Sequence, residues 1–499
     1  MELSGAARAR SPEGSEPPSP SPPVLPGQEI LLQLRKVLAQ GAGGASEELR
    51  ELSALVEAVE PRELLGGLSP AALGELAAEL SGHAAPPRQE WGAGDPPGRD
   101  SAYTATAERA AEVGGVFLHL LGKLEAAKAE ESLGPGVVGP VLSRVGGHVY
   151  IFAATHVVER PWTSRRSQSV AEEVLVLLVR AAGCGTVAEF LRGQKEGEEG
   201  GFGAVMRILK RELSKDTWKC NPASKFVFSW TLPQVTRPWL SSHLESVLPP
   251  SLLISDDYQE ENKLLGVQCL HHIILNVPAA ELCQFNRAQV VFHALYNHLY
   301  TREPPLIQAV LLCLLDLLPV LERAQRLQKQ SSPSASCHEV LHLVLTHMEA
   351  EHLLALRRVY ARTLPAFVQS RLGIQVARHL KRMERVILGY LEVWDGPEEE
   401  ARLGILQTLQ STIEHAWPRM PCRLPVLLKA LLKLIWDVHT DQGPTPELVK
   451  TSLLQGATQC LILLDQCSGG QVKVLLEGVY SSCEEPRVQE CLRKVQENT

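Results

Sequence analysis

The sequence has few aromatic residues, no Cys-x-x-Cys pair and no Asn-x-Ser/Thr glycosylation acceptor. Aromatic residues make up 5% of the 499 residues, which disfavours a large β-sandwich because strands are rich in aromatic and β-branched side chains. The eleven cysteines are scattered, and several lie in apolar patterns where a thiol behaves as a small hydrophobic group. The first residues also lack the apolar core of a secretory signal. We therefore expect a protein of the reducing cytoplasm or nucleus.

Motifs that would support catalysis are also lacking. The sequence contains neither a phosphate-binding Gly-x-x-x-x-Gly-Lys-Ser/Thr loop nor a Gly-x-Ser-x-Gly nucleophile motif. Among the histidines, His293 with His298 and His347 with His352 are five residues apart, which places each pair on different faces of a helix. We therefore expect no catalytic site, no cofactor and no metal ion.

Charge and hydropathy exclude two further partner classes. Lys plus Arg number 49 and Asp plus Glu number 57, giving a net charge of -8, so no overall attraction to nucleic acid or anionic membranes is expected. The most apolar stretch, residues 306–321, contains Gln308 and Asp316 and is shorter than the ~20 residues of a membrane span. It is predicted to be a buried helix.

Composition along the chain predicts four segments. Residues 1–27 are rich in Pro and Ser and are predicted to be a disordered tail. Residues 28–80 show helical patterns, and the Gly- and Pro-rich residues 81–101 are predicted to be a flexible connection. From residue 102 to residue 499, apolar helical segments alternate with short Pro, Gly or Asp breaks. This rhythm predicts an all-α fold, a HEAT/armadillo-like α-solenoid of stacked antiparallel helix pairs.

The clearest helix pair spans residues 395–436, about 42 residues, which is within the range of HEAT and armadillo repeats. Its first helix is predicted to follow Pro397, with three glutamates in the first turn, where the helix dipole favours acids. Three further pairs are predicted: 262–276 with 287–300, 306–321 with 338–348, and 447–464 with 471–476.

Four cations in residues 371–391 form one stripe if this run is a helix: Arg378, Lys381, Arg382 and Arg385. The opposite face carries apolar side chains at Val376, Leu380, Met383, Val386 and Ile387. An ordinary solvated face explains such a stripe. A docking strip for an acidic partner surface is the functional alternative.

Four serines are candidate phosphorylation sites. Ser11, Ser19 and Ser21 each precede a proline in the tail, although a Ser- and Pro-rich composition explains the pairs equally well. Ser255 precedes an acidic segment. There we favour helix capping, with Asp257 and Glu260 forming a start that resembles a capping box.

Long strings of this sequence resemble the Tel-two-interacting protein two family, whose members are subunits of the Triple T complex. The similarity extends over about residues 105–495 and is carried by these strings: GHVYIFAATHVVERPW, VFSWTLPQVTRPWL, SLLISDDYQEENKLLGVQCLHHIILNVPAAELCQFNRAQV, LIQAVLLCLLDLLPVLE and RHLKRMERVILGYLEVWDGPEEEARL.

The resemblance implies a HEAT-like adaptor without catalytic residues. It implies binding to Tel-two and Tel-two-interacting protein one, and indirect action with the ninety-kilodalton heat-shock chaperone. The kinases matured in this way are the phosphatidylinositol-kinase-related kinases, including ATM, ATR, mTOR and the DNA-dependent protein kinase. Composition and rhythm alone also permit another HEAT-type scaffold, such as a transport receptor or a phosphatase regulatory subunit.

Overall fold

A computed structural model describes residues 46–88, 99–129, 134–193, 200–327 and 335–498, and the single positions 30, 32, 33 and 36. Within these residues every regular element is a helix and none is a strand. The predicted all-α, HEAT/armadillo-type fold is confirmed. The predicted tail, residues 1–27, lies outside the described residues, as do residues 89–98 of the predicted connection.

The helices fall into two compact units, Met1–Phe190 and Leu191–Thr499. In the first unit α3 packs on α5, while α4 packs on α1 and α6. Helix α3 includes the first four residues of the segment predicted as a connection. Its partner α5 follows that segment in the sequence. The helices of this unit are α1 (Ser46–Ala58), α2 (Pro61–Gly67), α3 (Pro70–Ala84), α4 (Arg99–Ala129), α5 (Gly134–His156) and α6 (Arg165–Ala181); α7 (Val187–Arg192) spans the division.

The described part of the second unit contains the remaining helices. They are α8 (Gly201–Leu209), α9 (Pro222–Thr231), α10 (Leu244–Ser255), α11 (Glu260–Asn276), α12 (Ala279–Cys283), α13 (Arg287–His298), α14 (Pro304–Leu327), α15 (Ala335–Ala350), α16 (Leu354–Phe367), α17 (Leu380–Leu391), α18 (Glu400–Ala416), α19 (Leu424–Thr440), α20 (Glu447–Cys467), α21 (Gln471–Ser482) and α22 (Pro486–Glu497).

The second unit is built from stacked helix pairs. Helices α11, α14, α16, α18 and α20 form one layer, in which each packs on the next, while α15, α17 and α19 form a second layer. The eight helical segments predicted as pairs all fall on helices, namely α11, α13, α14, α15, α18, α19, α20 and α21. The pairing itself is confirmed for α14 with α15 and for α20 with α21, whereas α13 packs on α14 and α19 packs on α20. Helix α17 packs on α15 and α18.

Helix α14 contains the apolar stretch 306–321 singled out in the sequence. Its residues Pro304–Arg326 are long and apolar enough to cross a membrane, but 61% of the most apolar window is buried inside the fold. Its inward side chains, among them Val310, Leu314 and Leu318, are completely buried. The prediction of a buried helix here is confirmed.

The start of α11 differs from the predicted capping box. The N-cap residue is Gln259, whose side chain makes no capping hydrogen bond. The carboxylate of Asp257 instead accepts hydrogen bonds from Lys219 and from the side chain of Asn262. Although burial opposes the shift, these bonds hold the pKa of Asp257 below its usual value. The predicted role of Asp257 with Glu260 is therefore wrong, because a cation from an earlier segment binds the acid.

Candidate protein-binding surface

The predicted basic stripe begins on irregular backbone rather than on one helix. After α16 the chain makes a π-helical turn at Val368–Leu372 and a 3-10 helix at Gly373–Arg378 before α17 begins. Gly373 has a φ of +51°, a conformation that side-chain-bearing residues rarely adopt. The prediction of a continuous helix over 371–391 is wrong at this glycine, and Arg378 lies outside α17.

The apolar face predicted opposite the stripe is confirmed. The side chains of this face are all buried: Val376, Leu380, Met383, Val386 and Ile387. Their burial fixes the orientation of α17, so the cations on its other side point away from the core.

Two cations of the stripe are bound within the fold. Arg382 forms hydrogen bonds of 3.2 and 3.0 Å to the carboxylate of Glu349 on α15, and Arg385 lies 3.6 Å from the same carboxylate. The hydrogen bonds from Arg382 lower the pKa of Glu349. Arg382 also donates a 3.0 Å bond to the Thr346 hydroxyl. These two arginines therefore hold α17 against α15.

The other two cations remain available. Arg378 and Lys381 are exposed, and neither forms an ion pair with any Asp or Glu that the structure describes. The predicted stripe therefore divides into a structural half, Arg382 and Arg385, and a solvent-facing half, Arg378 and Lys381.

Three further residues that sequence reasoning missed are exposed near the end of α16 and the end of α18. Ile374 is 72% exposed and Trp417 is 58% exposed, and Arg419 is exposed as well. A Cβ placed on Gly373 would lie 3.9 Å from the Cδ2 of His415, so the 3-10 helix lies beside the last turn of α18, which Trp417 follows. The sequence signal was a tryptophan between a helix end and Pro418.

The segment HEVLH, residues 338–342, matches the H-E-x-x-H pattern of zinc proteases. By itself this motif would argue against the expected absence of a metal ion. The Nδ1 of His338 lies 2.8 Å from the Nε2 of His379. The Nδ1 of His342 lies 3.0 Å from a guanidinium nitrogen of Arg382, a cation that disfavours a metal ion there. In the described ranges no group of three His, Cys, Asp or Glu could hold a metal ion.

His379, beside the stripe, adds little positive charge. Burial, followed by the neighbouring His338, His342, Arg382 and Arg378, lowers the pKa of His379 to about 4. His379 is therefore neutral near pH 7. The positive charge of this surface comes from its arginines and lysine.

Of the candidate phosphorylation sites, Ser255 alone lies within the described residues. Ser255 is completely buried at the end of α10, and its hydroxyl donates a 2.9 Å hydrogen bond to the carbonyl of Leu252. A kinase cannot reach this hydroxyl in the folded chain. Ser11, Ser19 and Ser21 lie outside the described residues.

Two buried carboxyl groups lie where α17 joins α18. Asp395 is 0% exposed and Glu399 is 1% exposed. The Oδ2 of Asp395 accepts a 2.8 Å hydrogen bond from the backbone N–H of Ala401 and a 3.3 Å bond from the Nε of Arg358. The predicted start of this helix is wrong: α18 begins at Glu400, and the Asp395 side chain caps it in place of three first-turn glutamates.

Glu399 carries the most strongly raised carboxyl pKa of this region. It has a φ of +49°, and its Oε1 accepts a 3.2 Å hydrogen bond from Arg402. With both acids ionised, no donor among the described residues reaches its Oε2 or the Oδ1 of Asp395, and a proton on Glu399 supplies one. Burial, followed by a hydrogen bond with Asp395, raises the pKa of Glu399 to about 8. A raised pKa can mark a catalytic acid, but the burial of both acids leaves no room for a substrate, so we interpret the pair as structural.

We expect Glu399→Gln to be more stable than the wild-type chain at neutral and higher pH. The folded-state pKa of Glu399 is raised from 4.5 to about 8, so its contribution to stability is complete below the ordinary pKa and is lost as pH rises through the folded value. The glutamine amide resembles the protonated acid and does not titrate. Between the ordinary pKa of 4.5 and the folded-state pKa of about 8, the stability difference between the variant and the wild-type chain should grow by about 1.4 kcal/mol per pH unit. Urea unfolding across the window measures it, and a difference independent of pH would contradict this assignment.

Comparison with known proteins identifies the family. A model of the Tti2 family matches residues 192–393, a range that includes Ile374, Arg378 and Lys381. The chain is also 54% identical over 511 aligned residues to human TELO2-interacting protein 2, covering 100% of this chain and 98% of the human protein. This chain belongs to the Tti2 family. The resemblance seen in the sequence is thereby confirmed.

A second relative agrees with this Tti2-family membership. Rat TELO2-interacting protein 2 is 55% identical over 494 residues, covering 97% of this chain and 95% of the rat protein. Among solved structures, Kap95p with RanGDP has a TM-score of 0.47 at 13% identity and covers 93% of this chain and 61% of Kap95p. Kap121p has a TM-score of 0.45 at 12% identity and covers 95% of this chain and 45% of Kap121p. Likenesses this distant carry no conclusion about function.

Proposed function

We propose that this Tti2-family chain is a non-catalytic adaptor subunit of the Triple T complex that binds Tel-two. The observation that carries the proposal is the 54% identity, over the whole chain, to a human protein named for its interaction with TELO2. The similarity extends over 100% of this chain and 98% of the human protein, so it covers both units of the fold.

The architecture of the second unit supports a binding role. A stack of helix pairs exposes loops and helix faces over many repeats, so it can hold a partner through many modest contacts without a deep pocket. Large apolar side chains are exposed on several of these repeats, including Phe285, Tyr300, Trp394 and Trp436. Exposed aromatic residues of this kind are common anchors of protein interfaces.

The family resemblance implies further partners for this chain. The chain would join Tel-two with Tel-two-interacting protein one in the cytoplasm or nucleus. Together they would present phosphatidylinositol-kinase-related kinases to the ninety-kilodalton heat-shock chaperone. The adaptor itself would contribute binding surface and spacing, with no chemical step.

Co-purification from cells tests the proposal. The affinity-tagged full chain, expressed at its natural level, should recover Tel-two and Tel-two-interacting protein one in comparable molar amounts, as measured by quantitative mass spectrometry. An unrelated tagged HEAT protein is the control. If the tagged chain recovers no more Tel-two than this control does, the proposal fails.

A further inference from the structure

We propose that Phe285 is an anchor by which this chain binds an apolar pocket on a partner protein. Phe285 lies in the short turn that links α12 to α13, and we call residues 284–287 the anchor turn. The inference deepens the proposed adaptor function and rests on it, because it assigns one contact to the chain and states the chemistry of the partner's site.

The backbone of the anchor turn is the first argument. Phe285 and Asn286 have φ angles of +52° and +57°, and the backbone N–H of Arg287 donates a hydrogen bond to the carbonyl of Gln284. Two successive residues at positive φ inside such a hydrogen bond are close to a type I′ turn, which glycine, asparagine and aspartate dominate. Asn286 fits this preference, whereas the bulky side chain of Phe285 is strained there.

The exposure of the ring is the second argument. Phe285 is 83% exposed, more than any other large apolar residue of the described ranges. Among the described non-glycine residues, Glu399 alone shares a positive φ with this turn, and Glu399 is 1% exposed and paired with Arg402. Contacts within the fold therefore compensate for the strain at Glu399. They do not do so for the exposed Phe285 ring, and such uncompensated strain is typical of functional sites.

Arg287 holds the ring in place before any partner binds. Its guanidinium carbon lies 5.1 Å from the centroid of the Phe285 ring, within the ~6 Å reach of a cation–π contact. Arg287 is itself fixed by a 3.2 Å ion pair with Glu245 of α10 and by a 3.5 Å hydrogen bond to the carbonyl of Glu281. Restricting an aromatic side chain in this way lowers the entropic cost of association.

An apolar pocket on a protein suits this anchor better than a lipid surface does. The ring of Phe285 is the one large apolar group of the anchor turn, whereas membrane-binding segments bury a broad apolar face. Glu245, which pairs with Arg287, is 87% exposed, and the chain has a net charge of -8; both oppose binding to anionic headgroups. A single aromatic side chain in a pocket is, in contrast, a common centre of a protein interface.

Biolayer interferometry with the purified full chain tests this inference. The probe is the purified complex of Tel-two and Tel-two-interacting protein one from the same organism. Phe285→Ser should bind the probe at least about tenfold more weakly than the wild-type chain, because the pocket loses its anchor. Phe285→Leu keeps an apolar side chain and should bind less than about fourfold more weakly.

Tyr258→Ser is the matched control for Phe285→Ser. Tyr258 is 75% exposed, and the Nζ of Lys219 lies 4.7 Å from the centroid of its ring, so it is also an exposed ring beside a cation. Its backbone does not have a positive φ. This variant should bind the probe within about twofold of the wild-type chain.

Phe285→Gly separates binding from folding. Glycine adopts a positive φ without strain, so the thermal midpoint of this variant should equal or exceed that of the wild-type chain. Its affinity for the probe should nevertheless fall as far as that of Phe285→Ser. A lowered midpoint would show that the ring stabilises the fold, and it would overturn the inference.

Three further results decide the matter. If Phe285→Ser and Tyr258→Ser bind the probe as tightly as the wild-type chain does, the adaptor function stands and only the anchor is refuted. If vesicles of phosphatidylcholine and phosphatidylserine sediment the wild-type chain but not Phe285→Ser, the ring binds lipid and the inference is overturned. If the wild-type chain does not bind the probe, the adaptor function is refuted, and this inference with it.

Discussion

Gly404→Ala is expected to destabilise the second unit by about 3 kcal/mol. Gly404 lies on α18 where this helix crosses α16 at close range. A Cβ at this position would lie 2.5 Å from the carbonyl oxygen of Ala361 and 2.7 Å from its carbonyl carbon. Both contacts are with backbone, which cannot turn aside as a flexible side chain can. The two helices must therefore move apart, and the packing of their neighbours is lost with them.

Gly389→Ala is the matched control for this prediction. Gly389 lies within α17, and a Cβ there would meet nothing within 4 Å. Because alanine favours the helix over glycine, this variant should gain about 0.5–1 kcal/mol. Thermal midpoints of both variants measure the difference. Equal midpoints would show that the close approach of α16 and α18 does not govern the stability of the stack.

Asp395→Ala is expected to cost about 3–5 kcal/mol, the range for removing one partner of a buried ion pair. The substitution removes the carboxylate that Arg358 binds and that caps the backbone N–H of Ala401. The Arg358 side chain is 25% exposed, so water reaches it only in part. The start of α18 would also lose its side-chain cap.

Glu398→Ala provides the control for Asp395→Ala. Glu398 also pairs with Arg358, at 3.3 Å, but its side chain is 59% exposed. Exposed ion pairs contribute little, so this variant should change stability by less than about 1 kcal/mol. Urea unfolding of the two variants under the same conditions tests the comparison. If Glu398→Ala lowers stability as much as Asp395→Ala does, the burial of Asp395 is not the reason that its ion pair with Arg358 stabilises the fold.

The helices of the second unit were predictable because their pattern is local. Apolar side chains recur at helical spacing, and Pro or Gly separates the segments, so α18, α19 and α20 follow from the sequence. The break at Gly373 was not predictable in this way. The apolar face from Val376 to Ile387 continues across the change from 3-10 helix to α-helix, and a periodic pattern does not reveal a change in helical hydrogen bonding.

The roles of charged residues were less predictable, because their partners come from other repeats. Arg382 pairs with Glu349 on α15, and Asp257 pairs with Lys219; neither pair lies within one helical turn in the sequence. Ser255 illustrates the same limit. Its acidic neighbours suggested an exposed site, but packing buries the hydroxyl completely. Only the folded structure shows that Arg382 and Arg385 are bound to Glu349 while Arg378 and Lys381 face solvent.

The native mass of a reconstituted mixture tests most directly whether this Tti2-family chain is a binding subunit. The 54.6 kDa chain is mixed at micromolar concentration with purified Tel-two and Tel-two-interacting protein one from the same organism. Light scattering coupled to size-exclusion chromatography then gives the mass of each peak. We predict one species whose mass is the sum of the three chains. Separate elution of this chain at its own mass, while the other two proteins associate, would contradict the account.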